Sequence, residues 1–233
     1  MSSDFDRYQR SYESEIERSI SFIGKSHDFF MQAKADALVE LAAAHFGDPR
    51  RVSFLDVGCG NGLTDELIAA RVGSVSGVDL SARLIEEASN RNPGVAYRFY
   101  DGGALPYEEA TFDIVFAICV LHHVPPPDWA AFVAELKRVT RPGGLAVLIE
   151  HNPRNPLTRL AVARCEFDET AVLLSRRRAA DLLGSAGLRI VDRRYILFFP
   201  WSGRGLRRLE GSLGALPLGA QYIVAGERPP AQP

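Results

Sequence analysis

Phe54-Leu55-Asp56-Val57-Gly58-Cys59-Gly60-Asn61-Gly62 is an apolar run carrying one acid and breaking into three alternating glycines. Val52 to Val57 reads as a buried strand, and Leu63, Leu67 and Ile68 mark the helix that follows the glycines. A glycine turn after a first strand lets the backbone approach a ligand, because no Cβ intervenes. The dinucleotide fingerprint requires another glycine three residues after the second, and Leu63 stands there. Asp56 repels a pyrophosphate and suits a ligand that carries positive charge. A nicotinamide oxidoreductase is therefore disfavoured.

The same alternation continues on both sides. Ser74 to Val78, Val95 to Tyr100, Phe112 to Ile118 and Leu145 to Ile149 read as further strands. Ser81 caps the helix after the second strand, its hydroxyl taking an orphan N–H of the first turn. Pro125, Pro126 and Pro127 open a helix whose Trp129, Phe132, Val133, Leu136 and Val139 form one apolar stripe. Arg141-Pro142-Gly143-Gly144 reads as a turn before the fifth strand. Strands alternating with helices predict a parallel sheet with right-handed crossovers.

Residues 1–50 read as a helical cap, with Phe29, Phe30, Ala33, Ala37, Leu38, Leu41 and Ala42 at helical spacing and a weaker helix around Tyr8 to Ile23. Residues 51–150 form the ligand-binding core. Residues 151–233 supply a substrate-side segment with a helix from Arg178 to Ala186, a strand from Leu188 to Phe198 and a last strand from Gln221 to Ala225. All 233 residues read as a single domain.

Three acids fall at three successive strand ends: Asp56, Asp79 and Asp101. In open α/β sheets those ends border the ligand crevice. Asp79 suits a ribose diol, and Asp101 an adenine amino group, with the Gly102 N–H donating to a ring nitrogen. Taken together they are far more specific than any one of them.

Composition narrows the class. A net charge of −2 and a pI near 6.2 argue against a general nucleic-acid partner. The charge is uneven: residues 1–150 hold 14 Lys and Arg against 22 Asp and Glu, and residues 151–233 hold 13 against 7. The basic C-terminal part admits an anionic substrate, although solvated arginine faces explain it more simply. Cys59, Cys119 and Cys165 are scattered, so neither a disulfide framework nor a metal site is expected. The polar Met1–Arg10 stretch has no signal-peptide core, and the longest apolar run, Ile114 to Leu121, is too short for a membrane span. A cytoplasmic protein without a membrane partner is expected, and nothing in the sequence assigns an oligomeric state.

The stretches Leu55 to Gly62, Gly77-Val78-Asp79-Leu80-Ser81, Asp101 with Leu105-Pro106, Phe112-Asp113, Leu121-His122-His123-Val124 and Arg141-Pro142-Gly143-Gly144 resemble, in order, the class I S-adenosylmethionine-dependent methyltransferases. The likeness is to the broad group of ubiquinone- and menaquinone-pathway and sugar or natural-product methyltransferases, and it covers residues 52–150. It implies a Rossmann-like α/β fold: a seven-stranded, mostly parallel sheet with helices on both faces and an antiparallel last strand. It implies S-adenosyl-L-methionine as cofactor, whose ammonium and sulfonium match Asp56. It further implies cofactor contacts from Asp56, Gly58, Cys59, Gly60, Asp79, Leu80, Asp101, Gly102, Ala117 and Cys119. Gly103 and Ala104 depart from the family by replacing its acidic or polar residues before Leu-Pro.

Methyl transfer needs an aligned acceptor and, for a hydroxyl or carbon acid, removal of a proton. His123, His122 and Glu150, after the fourth and fifth strands, are the candidate catalytic residues. Arg154, Arg159 and Arg164 are candidates for gripping an anion, and Tyr8 and Tyr12 for closing over the cofactor. The expected reaction is O- or C-methylation of a small-molecule acceptor. An RNA or protein methyltransferase and a non-catalytic cofactor-binding scaffold are the alternatives. The place after strand four reads Val120-Leu121-His122-His123 and lacks the Asn/Asp-Pro-Pro-aromatic signature of base methylation.

Overall fold

The computed structural model of the protein describes residues 27–199 and 212–230, together with Arg18. The helix read around Tyr8 to Ile23 lies outside them, as do Tyr8 and Tyr12. The strands are β1 (Ser53–Val57), β2 (Ser74–Asp79), β3 (Ala96–Phe99), β4 (Phe112–Ile118), β5 (Thr140–His151), β6 (Arg189–Ile196) and β7 (Gln221–Glu227). They form one seven-stranded sheet in the order β3-β2-β1-β4-β5-β7-β6. The first five are parallel to one another, and β7 runs antiparallel between β5 and β6. The chain thus has the expected mostly parallel sheet and antiparallel last strand.

The helices are α1 (His27–Phe46), α2 (Leu63–Ala69), α3 (Ala82–Arg91), α4 (Trp129–Val139), α5 (Pro156–Arg164) and α6 (Arg176–Ser185). Successive strand residues point to opposite faces, so each inner strand builds two cores. Leu55, Val57 and Val115 pack with Val133 and Leu136 of α4 and Leu183 of α6. Phe54, Ile114 and Phe116 pack with Leu38 and Ala42 of α1 and Ile68 of α2. Phe116 is fully buried, and truncating such a ring to alanine costs about 3–5 kcal/mol.

The turn expected at Arg141–Gly144 is instead a bulge inside β5. The pairing with β4 steps from Phe112 opposite Thr140 to Ile114 opposite Leu145. Gly143 N donates to the Arg228 carbonyl at 2.7 Å and Arg228 N to the Gly144 carbonyl at 2.9 Å. The partner that extends the strand lies beyond β7, where local turn chemistry gives no hint of it.

The strand order reverses between β1 and β4, and ligands of open α/β sheets bind in the crevice outside such a reversal. Among the described residues no helix is long and apolar enough to cross a membrane.

Candidate active site

A cavity of about 920 Å³ lies along the carboxyl ends of β1, β2 and β4, covered by the first turns of α1 and by α5. Gly58, Cys59 and Gly60 form its floor, and the N–H groups of Gly58 and Cys59 donate to the Val78 carbonyl at 2.8 and 3.0 Å. Gly60 has φ +55, and a Cβ there meets nothing within 4 Å. Its bare backbone therefore faces open space. Gly60 N donates to Asp79 Oδ2 and Ser81 N to Asp79 Oδ1, both at 2.9 Å. Those bonds lock the acid at the rim, and each carboxylate oxygen accepts more than one hydrogen bond.

Asp56 lies lower and is buried, facing α1 and α2 rather than solvent. Burial first, and then the neighbouring Asp65 and Asp79, push its carboxyl well above the usual range. Burial likewise raises Asp65 to about 7, although Tyr97 donates to Asp65 Oδ2 at 2.8 Å. Asn92 Nδ2 bonds the Tyr97 hydroxyl at 2.9 Å and the Gly62 carbonyl at 2.8 Å, tying this network to the glycine loop. Sequence reasoning missed Asp65, Asn92 and Tyr97. Gly62, unlike Gly60, is tightly enclosed: a Cβ there falls 2.6 Å from the Tyr97 hydroxyl. Asp56 borders the cavity, and its carboxyl shares a hydrogen bond with that of Asp65. This buried pair of acids beside the glycine loop fits a ligand that brings N–H donors.

Beyond Asp79 the wall is apolar, formed by Leu80, Leu84, Tyr100 and Leu105 with the backbone of Gly102 and Gly103. Such a slot accepts a planar base. Asp101 does not line it: the carboxylate is exposed and turns back to accept from Gly103 N at 3.0 Å. Gly102, at φ +90, makes that reversal. Ala117 is not at the cavity either, being fully buried in the core under α4 and α6, whereas Cys119 and Cys59 line the wall.

The other end is polar. Cys119 closes β4 with φ +56, an unusual conformation for a residue with a Cβ. The chain then turns so that Val120 N and Leu121 N both donate to Glu150 Oε1, at 3.1 and 2.7 Å. Trp129 Nε1 donates to the Leu121 and Val124 carbonyls at 3.0 and 2.8 Å, holding the histidine turn Leu121–His123 from α4. Glu150 Oε2 meets His122 Nδ1 at 2.5 Å. His122 Nε2 in turn lies 3.3 Å from Asp168 Oδ1, and His123 Nε2 lies 3.5 Å from the same oxygen.

The electrostatics separate the candidates. Burial alone lowers the His122 pKa, but Glu150 and Asp168 outweigh it and hold the ring well above its usual value. Burial, then the charge of His122, depress His123 to about 4, so it is neutral at physiological pH. Burial raises and His122 lowers both Glu150 and Asp168, with the lowering dominant. Glu150 is wholly buried behind His122 and outside the cavity lining, whereas His122, His123 and Asp168 line it. Asp168 was not anticipated. A signal exists: Thr158, Ala161, Val162 and Cys165, spaced as one helical face, line the cavity just ahead of it. Arg154, Arg159 and Arg164 are exposed and not among the lining residues, which corrects the expected anion grip.

Residues 55–148 match the family described as "Methyltransferase domain". The chain is 30% identical over 210 residues to a ubiquinone biosynthesis O-methyltransferase of Chelativorans sp. (strain BNC1), covering 82% of this chain and 79% of that one. It is 33% identical over 132 residues to a 2-methyl-6-phytyl-1,4-hydroquinone methyltransferase of Synechocystis sp., covering 54% and 41%. A SAM-dependent methyltransferase of Thermotoga maritima superposes with a TM-score of 0.64 at 21% identity, over 98% of this chain and 100% of that one. Fold, cavity and relatives define an S-adenosylmethionine-dependent enzyme that transfers methyl groups. The chain belongs to the class I S-adenosylmethionine-dependent methyltransferase family.

Proposed function

We propose that this enzyme methylates a small, mostly apolar acceptor at a hydroxyl oxygen or an acidic carbon, with a hydroxylated aromatic ring the preferred class. The observation that carries this reading is the two-ended cavity. Apolar side chains from Phe30, Met31, Phe132, Val162 and Phe167 line it, and beyond the acids of the glycine-loop end a second polar group, His122, His123 and Asp168, lines the opposite end. A ring with one hydroxyl matches that distribution. The names of two relatives, one of ubiquinone biosynthesis and one a hydroquinone methyltransferase, support the same reading.

The cofactor supplies an electrophilic methyl group on a sulfonium centre. Asp56 and Asp79 would hold its charged and ribose parts, the bare backbone of Gly58 and Gly60 would allow close approach, and Leu80 and Gly102 would border the base. At the far end, an acceptor hydroxyl would meet Asp168, held ionised, and His123, held neutral, both able to accept a hydrogen bond. His122 is already charged and would position Asp168 rather than take a proton. Glu150 touches neither ligand and would orient His122. Bulk RNA and protein fit poorly, because the polar groups lie within a covered cavity.

The test is transfer of a tritiated methyl group from S-adenosylmethionine to a panel of monophenols, catechols, hydroquinones and hydroxylated sugars. Labelled phenolic product is expected. Transfer confined to sugars, RNA or protein would contradict the reading.

A further inference from the structure

One donor atom each of His122, His123 and Asp168 lies within 4.8 Å of the other two. The two contacts to Asp168 Oδ1 are 3.3 and 3.5 Å. Ligand atoms bound at about 2.1 Å to one ion stand roughly 3.0 Å apart in octahedral and 3.4 Å in tetrahedral geometry. The two separations to Asp168 are near those edges. His122 is also held as a metal ligand needs to be. Glu150 Oε1 accepts two backbone N–H groups and Oε2 meets His122 Nδ1 at 2.5 Å, which fixes the ring from behind. His122 Nε2 is thereby turned toward Asp168 at the cavity. A carboxylate behind a ligating histidine is the usual outer partner of a metal site.

We propose that His122, His123 and Asp168 bind a divalent first-row transition ion, of the Zn²⁺ type, with its open positions facing the cavity. Two histidines and one carboxylate, with room left for a further ligand, are the donor set of open zinc and iron sites. All three residues line the cavity, which gives the ion an entry path. The inference rests on the proposed acceptor only for what fills the open position, namely the acceptor's hydroxyl oxygen. In the ion-bound enzyme that oxygen meets the ion, and His123 is a ligand.

The experiment is titration of the chelator-treated, full-length protein with Co²⁺, followed by visible absorption. Ligand-field bands saturating at one equivalent are expected. Glu150→Gln should keep the bands and weaken binding roughly 10- to 100-fold, the usual cost of losing an outer carboxylate. His123→Ala and Asp168→Asn should weaken it further, with circular dichroism of each variant matching the parent. Absence of saturable bands up to millimolar Co²⁺, or equal binding by the parent and both ligand variants, would overturn the site. The titration needs neither cofactor nor acceptor. Saturable Co²⁺ binding with no turnover of any phenol overturns the acceptor reading alone. Turnover in a protein that takes no Co²⁺ overturns the ion alone.

Discussion

The two ends of the cavity are built in opposite ways. The cofactor end comes mainly from residues 56–105, each element following its neighbour in sequence, and Asp79 is fastened by two backbone N–H groups of its own rim. The acceptor end joins residues 122, 123, 150 and 168, from two strand ends and a helix-to-helix turn. In the proposed reading the first end would take the cofactor, a ligand shared by a whole family, and is written locally. The second would face the acceptor, and exists only after folding.

That contrast predicts separable losses. The largest falls on turnover: Asp168→Asn and His123→Ala should each lower kcat/KM by roughly 10²–10⁴-fold, the span of positioned proton acceptors. Single-turnover methyl transfer at saturating cofactor measures it, and a loss under threefold would dissolve the acceptor end as a functional unit. Next, Asp79→Ala should weaken S-adenosylhomocysteine by roughly 10- to 100-fold, since hydrogen bonds to a charged group contribute about 1.5–3 kcal/mol. Calorimetry decides that.

A smaller effect concerns pH. The folded protein raises Asp65 from 3.8 to about 7, so folding favours its protonated form. The stability this gives is complete below about pH 3.8 and is lost as pH climbs through 7. Asp65→Asn should flatten the fall in melting temperature across that window. An unchanged slope would show that the Asp56–Asp65 pair is not its source. The smallest effect is a null one: Arg154→Ala, Arg159→Ala and Arg164→Ala should each leave kcat/KM within twofold, because their side chains face solvent.

Legibility in the sequence follows the same divide. The strands were readable because inner parallel strands are continuous apolar runs, and the α4 stripe because it keeps helical period. The β5 bulge was not, because its partner Arg228 is remote. Asp56 and Asp79 were expected at strand ends beside a ligand crevice, and both line the cavity. Asp101 misled, since a left-handed Gly102 turns its carboxylate onto Gly103 N. His122 and Glu150 were visible as candidates, but their roles follow from burial and from Asp168, which sits in the motif-free stretch Glu166-Phe167-Asp168. The polar chain Asn92–Tyr97–Asp65 was invisible for the same reason: its members meet only across α3, β3 and α2.

One paired titration tests the division most directly. S-adenosylhomocysteine is titrated by calorimetry into Asp168→Asn and Asp79→Ala beside the parent protein. Asp168→Asn should bind within twofold of the parent and Asp79→Ala at least tenfold more weakly. Comparable losses in both, or a loss confined to Asp168→Asn, would contradict a cavity with separate cofactor and acceptor ends.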